Sequence, residues 1–150
     1  MTERSVDIAA SPEAVYALVS DVARQSRFVV EATDARWLTS VRGVGARFRA
    51  GNRNGLFRWW TTAEVTHAEP GRCFAYTVRS FGTPVAEWRY DIRATETGCR
   101  VIESTRDLRN RFFRAVVAPV GTGVVDRVGH NEDNIEKTLA RLKALAEATS

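Results

Sequence analysis

The sequence predicts an α+β domain, an antiparallel sheet accompanied by one long C-terminal helix. Three observations carry that prediction. Between residues 45 and 106, apolar and polar side chains alternate in five consecutive runs joined by short turn-forming sequences. Between residues 123 and 146 the apolar residues change to three- and four-residue spacing, the period of a helix with one buried side. Near the N-terminus, Ser11-Pro12-Glu13 follows a short alternating run and is suited to start a helix.

The elements follow in order. Residues 3–8 alternate and predict a first strand. Ser11 then supplies a hydroxyl to cap free N–H groups, Pro12 suits the first helical position, and Glu13 suits the positive end of the helix dipole. Val15, Leu18, Val19 and Val22 give this helix an apolar side. Asp21 is placed to cap a second short helix carrying Phe28, and Trp37-Leu38 marks another strand. The meander begins with Ala46, Phe48 and Ala50 alternating with Arg47 and Arg49. Asn52-Arg53-Asn54-Gly55 reads as a hairpin turn, because Asn-Gly tolerates the positive φ such turns require.

The next strand sets Phe57, Trp59, Thr61, Ala63 and Val65 on one face. After Glu69-Pro70-Gly71-Arg72, Phe74, Tyr76 and Val78 share that face. After a turn at residues 80–84 come Ala86, Trp88, Tyr90 and Ile92, then Cys99, Val101, Glu103 and Thr105 in the last strand. Each inward set alternates with arginines and acids, so one face is apolar and the other charged. In the C-terminal helix Val128, Asn131, Ile135, Leu139, Leu142 and Ala146 share a side, and Asp133 precedes Lys137 by one turn.

Composition narrows the function classes. The 150 residues, 44% hydrophobic and 27% charged, suit a single domain spanning 1–150 whose core needs no disulfide or metal. No run reaches the ~18 apolar residues of a membrane helix. The most apolar stretch, residues 115–128, is broken by Pro119, Gly121 and Gly123, so no stable membrane insertion is expected. The N-terminus lacks an apolar signal core, which predicts a cytoplasmic protein. Cys73 and Cys99 match no zinc or redox spacing, and alternation points Cys99 inward and Cys73 outward, against a disulfide. With only His67 and His130 besides, no metal and no cofactor is expected, and neither histidine is favoured as catalytic.

The net charge of +4 and a sequence pI near 9.6 raise the question of nucleic acid. The strand arginines, from Arg47 to Arg106, are read as interleaved with acids such as Glu64, Glu87 and Asp91, the pattern of a solvated sheet face. No nucleic-acid partner is therefore expected. The outward Trp60 and Ile102 offer a homodimer interface, unless arginine stems cover the tryptophan.

The stretches IAASPEAVYALVSDV (8–22), VGARFRAGNRNGLFRWWTTAEVTHAEPGRCFAYTV (44–78), GCRVIEST (98–105) and NIEKTLARLKALAE (134–147) together give the chain a family likeness over its whole length. In this order it resembles the SRPBCC superfamily, the START and pollen-allergen-like proteins that include the polyketide cyclase/dehydrase-like family. The resemblance implies a helix-grip fold: a curved antiparallel sheet of about seven strands wrapped around the long C-terminal helix, with two short helices after strand one. It also implies an internal apolar cavity. Members include lipid carriers, hormone and metabolite binders, and polyketide aromatase/cyclases, so function does not follow from the fold.

Phe48, Trp59, Phe74, Trp88 and Tyr90 serve equally well as a filled core or as cavity walls. Polar residues of inward parity, together with the resemblance, favour a cavity: Asn52, Tyr76, Glu103, Thr105, and Asn131 on the helix beside Val128 and Ile135. A buried carboxylate is costly, so Glu103 needs a partner, a wet cavity or a raised pKa. A mouth is expected near Phe112, Phe113 and the glycine-rich residues 119–123, as a lid. The expected partner is a hydrophobic small molecule, a lipid or polyketide-like metabolite. The alternative is a cyclase, aromatase or dehydratase with Glu103 as acid or base and Tyr76 or Asn131 holding a carbonyl oxygen. The residues leave both open.

Overall fold

Alternation sets the sheet, and among the described residues three helical pieces accompany it. The computed structural model describes residues 2–29, 32–54, 56–80, 82–108 and 127–149. The strands are β1 (Thr2–Ile8), β2 (Ala32–Trp37), β3 (Arg47–Asn54), β4 (Phe57–Glu69), β5 (Cys73–Ser80), β6 (Thr83–Thr95) and β7 (Gly98–Asp107). They form one antiparallel sheet in the order β1-β7-β6-β5-β4-β3-β2, so β3 to β7 are the expected meander and β1 crosses over to pair with β7. The helices are α1 (Pro12–Ser20) and, at the C-terminus, α2 (Arg127–Thr149).

Each covering piece takes part of the inner face. On α2, Ile135, Leu139, Leu142 and Ala146 are buried, and the helix lies against β1 and β7. Lys143 Nζ donates to the Asp7 carbonyl at 2.8 Å, and Glu147 Oε2 accepts the Ala9 N–H at 2.8 Å, fixing the helix to the end of β1. The expected Asp133–Lys137 ion pair forms at 2.9 Å. On α1, the Ser11 hydroxyl accepts the Ala14 N–H at 3.1 Å as the cap requires, while Val15 and Val19 are buried and Tyr16 meets Phe74 edge-on. A fully buried side chain of this size contributes about 1.5–3 kcal/mol.

Several local expectations are corrected. The second short helix is a 3-10 turn (Val22–Arg27); the Asp21 side chain makes no cap hydrogen bond, and Phe28 closes the turn. Asn52 lies within β3, whose ladder runs on to an Asn54↔Phe57 pair, so residues 52–54 are strand and not turn. The β5–β6 ladder runs out to a Ser80↔Thr83 pair. A bulge at Thr66 flips the parity of β4, which places Ala68 opposite Phe74 and carries His67 within the strand. Cys73 keeps its outward parity but is buried, as is Ala75; the Arg89–Asp91 ion pair on the neighbouring strand lies opposite these small residues. The C-terminal helix begins at Arg127 among the described residues, and residues 123–126 lie outside them.

Candidate functional site

Two adjacent rows of inward side chains cross β5, β6 and β7. Tyr76, Trp88 and Thr105 are register partners in one, and Phe74, Tyr90 and Glu103 in the other. Strict alternation along β7 brings Glu103 into this face, where it is only 2% exposed. Phe48 adjoins the rows through an edge-on contact with Tyr76 at 5.2 Å, and Ile135 is buried on α2.

The 3-10 turn adds a residue that the sequence did not single out. Val22, Gln25 and Phe28 are all buried and stand three residues apart, the period of such a turn. The covered side of the turn therefore carries an amide between two apolar groups. Gln25 is set against the Tyr76 hydroxyl. A search for three-residue periodicity in place of α-helical spacing would have found it.

The cluster is electrically neutral. Burial pushes the Glu103 carboxyl up to about 8, partly offset by the Tyr90 hydroxyl facing it, so at neutral pH the group is mostly a carboxylic acid. Burial, and Glu103 itself, raise the Tyr76 and Tyr90 phenols above their usual value, and both keep their protons. Of the three outcomes open to a buried carboxylate, the raised pKa is the one found.

Among the described residues, three buried side-chain atoms have no hydrogen-bond partner: Glu103 Oε1, Gln25 Nε2 and Thr105 Oγ1. Leaving such a group unpaired costs roughly 1–3 kcal/mol. An amide N–H, a hydroxyl and a protonated carboxyl can each donate to an oxygen. The arrangement is thus an uncharged set of donors inside an aromatic surround.

Other expected residues fall elsewhere. Asn52 and Trp59 are a half-buried register pair toward the β3–β4 hairpin, and Asn52 Nδ2 is satisfied by the Ala50 carbonyl at 3.3 Å and Thr61 Oγ1 at 3.2 Å. Phe112, the side chains of Val128, His130 and Asn131, and the lid at Phe113 and 119–123 lie outside the described residues. A cleft of about 240 Å³ opens between α1, the 3-10 turn and α2, beside Leu18, Phe28 and Leu145; none of the residues expected from sequence to bind a ligand lines it. Among the described residues no helix is long and apolar enough to cross a membrane.

The sequence profile described as polyketide cyclase/dehydrase and lipid transport matches residues 2–147. No curated protein matches the chain. The solution structure of the polyketide cyclase-like protein Cgl2372 from Corynebacterium glutamicum is 28% identical, with 99% of this chain and 91% of that one covered and a TM-score of 0.63. Protein CV1439 from Chromobacterium violaceum is 14% identical over 97% and 96% of the two chains, with a TM-score of 0.72. The di-domain ARO/CYC StfQ of the steffimycin biosynthetic pathway is 13% identical, with a TM-score of 0.78; 99% of this chain covers 50% of that one. The last two likenesses concern the fold, a helix grip.

Proposed function

Because this chain belongs to the polyketide cyclase/dehydrase and lipid transport family, within the SRPBCC superfamily, we propose that it binds a hydrophobic small molecule between the sheet and α2. The ligand is a lipid or polyketide-like metabolite bearing at least one oxygen. The observation that carries this reading is the triplet of unpartnered buried atoms on Glu103, Gln25 and Thr105 beside Tyr76 and Tyr90. A solid core gains nothing from three unpaired donors, whereas a ligand carbonyl or hydroxyl would satisfy them while its carbon skeleton meets Phe74 and Trp88. Both cysteines are free, which supports a cytoplasmic carrier.

Native mass spectrometry of the purified protein, with and without a panel of lipids and aromatic polyketides, tests the reading. One hydrophobic molecule per chain, retained less well by Gln25→Leu, is expected. No retained or added ligand would remove it. A second reading is favoured by one feature: Glu103 is a neutral acid at physiological pH, as a group that protonates a carbonyl in a cyclisation or dehydration must be. Turnover of a converted substrate that is unchanged in Glu103→Gln would exclude that role.

A further inference from the structure

Charge is not evenly mixed over the sheet. Residues 35–63 contain six arginines and no aspartate or glutamate, and the remainder of the chain holds more acidic than basic residues. This acid-free segment is the second half of β2, all of β3 and the first half of β4, at the free edge of the sheet. The interleaving of opposite charges expected from the sequence holds across β6, β7 and β1, where Arg89–Asp91, Arg106–Glu87 and Arg100–Asp7 pair at 2.8, 3.1 and 2.8 Å. It thins at the β2–β4 edge, where arginines outnumber acids. There the acids sharing the outer face are Glu64, the register partner of Arg47, and Asp34, opposite Gly51, while Arg36, Arg47, Arg49 and Arg58 form no ion pair within 4 Å among the described residues.

The same segment holds every large hydrophobic side chain that is exposed among the described residues: Leu38, Val41, Val44, Leu56 and Trp60. Trp60 is on the outer face, 53% exposed, opposite Gly51, over which the Thr33 hydroxyl and the Asp34 carboxylate lie. The Arg49 guanidinium lies 4.4 Å over its ring, and Arg49 is itself the register partner of Arg36. Leu56, 98% exposed, tips the β3–β4 turn, while Leu38, Val41 and Val44 tip the loop at the other end of β3. An arginine-bearing strip is therefore flanked at both ends by aliphatic side chains.

We propose that the outer face and free edge of β2–β4 dock on an anionic lipid bilayer. The arginines suit lipid phosphates, their stems and Trp60 suit the headgroup layer, and the aliphatic tips suit the boundary of the acyl chains. Aliphatic tips add nothing on a nucleic-acid backbone, which is why the bilayer is the better match. The face is the reverse of the one carrying Glu103, so the inference stands apart from the ligand reading.

Vesicle flotation tests it, using phosphatidylcholine alone and phosphatidylcholine containing phosphatidylglycerol. Binding is expected on the anionic vesicles alone, weakening with salt and shifting Trp60 fluorescence to the blue relative to Trp60→Phe. The triple variant Arg36→Glu/Arg49→Glu/Arg58→Glu is expected to bind at least about tenfold more weakly. Val41→Ser/Val44→Ser is expected to weaken binding and keep its salt dependence; both sites are exposed, so this variant serves if the triple one misfolds. No vesicle binding, equal binding to neutral vesicles, tighter binding to a single-stranded oligonucleotide, or a dimer that hides Trp60 and leaves no vesicle binding would each overturn the proposal.

Discussion

Tyr90 and Glu103 stand directly opposite one another across the β6–β7 ladder, both on the inner face, with the phenol hydroxyl turned to the carboxyl. The pair makes the acid's ionisation a property of the fold. In the native state the carboxyl titrates near 8, against a usual 4.5. The folded protein therefore binds more protons than the unfolded chain between those values, and stability falls as pH rises through them. Full stabilisation is expected below about pH 4.5, with a loss of roughly 1.4 kcal/mol per pH unit toward pH 8 from this group alone. Urea unfolding at several pH values checks it. Glu103→Gln should flatten this part of the profile, and an unchanged slope in that variant would assign it to other groups.

Tyr90→Phe removes the polar neighbour that eases ionisation of Glu103. The carboxyl should then titrate higher still, and the pH window of declining stability should extend upward. The hydroxyl itself is worth about 0.5–1.5 kcal/mol at a fixed pH. A carboxyl-specific infrared band or a carbon-13 shift of Glu103 measures the titration directly. A downward shift would show that Tyr90 does not support the charged form.

Phe48 is buried between two aromatic neighbours, meeting Trp37 at 5.5 Å and Tyr76 at 5.2 Å, both edge-on. It joins the β2–β3 edge to the polar cluster. Phe48→Ala should cost about 3–5 kcal/mol, from lost transfer energy and the space left behind. A chemical denaturation midpoint close to wild type would mean that the surrounding aromatics close the gap.

The inner face was legible where alternation is uninterrupted. Nothing disturbs the period between Cys99 and Thr105, so Glu103 could be placed from parity alone. At Thr66 one extra residue reverses the parity, and no local signal marks it. Burial of Cys73 depends on what β6 sets beside it, a relation between strands that one strand's pattern does not contain. Asn52 carries a turn-like sequence, yet pairing with Trp59 extends the ladder past it, because register outweighs local propensity. Gln25 has no α-helical signal to mark it, since its burial follows the three-residue period of Val22, Gln25 and Phe28. At the free edge the arginines outnumber Asp34 and Glu64, the acids that share their face, a local imbalance that the mixed charge of the whole sheet conceals.

At Gly98 the start of β7 passes against the end of β1. A Cβ there would fall onto the Ile8 carbonyl oxygen and lie 2.8 Å from the Ala10 nitrogen, and neither is a side chain that can turn away. Gly98→Ala should therefore destabilise the protein by about 1–3 kcal/mol through displaced backbone, with weakened amide protection along the β1–β7 ladder in hydrogen exchange. Wild-type protection in that ladder would show that the β6–β7 turn absorbs the change.

Gln25 separates a structural role from a binding one. Its Nε2 is buried with no partner, so Gln25→Leu removes an unsatisfied donor while keeping similar volume. Against this it deprives the Tyr76 hydroxyl of a polar neighbour. The two effects oppose one another, and urea unfolding should show a change within about 1 kcal/mol. If the amide meets a ligand oxygen, losing that donor should weaken binding by about tenfold, the equivalent of one hydrogen bond. Unfolding and ligand retention, measured on the same preparation, then move independently. A variant that unfolds several kcal/mol more easily yet holds ligand as tightly as wild type would place Gln25 in the packing of the 3-10 turn and leave Glu103 and Thr105 as the polar contacts.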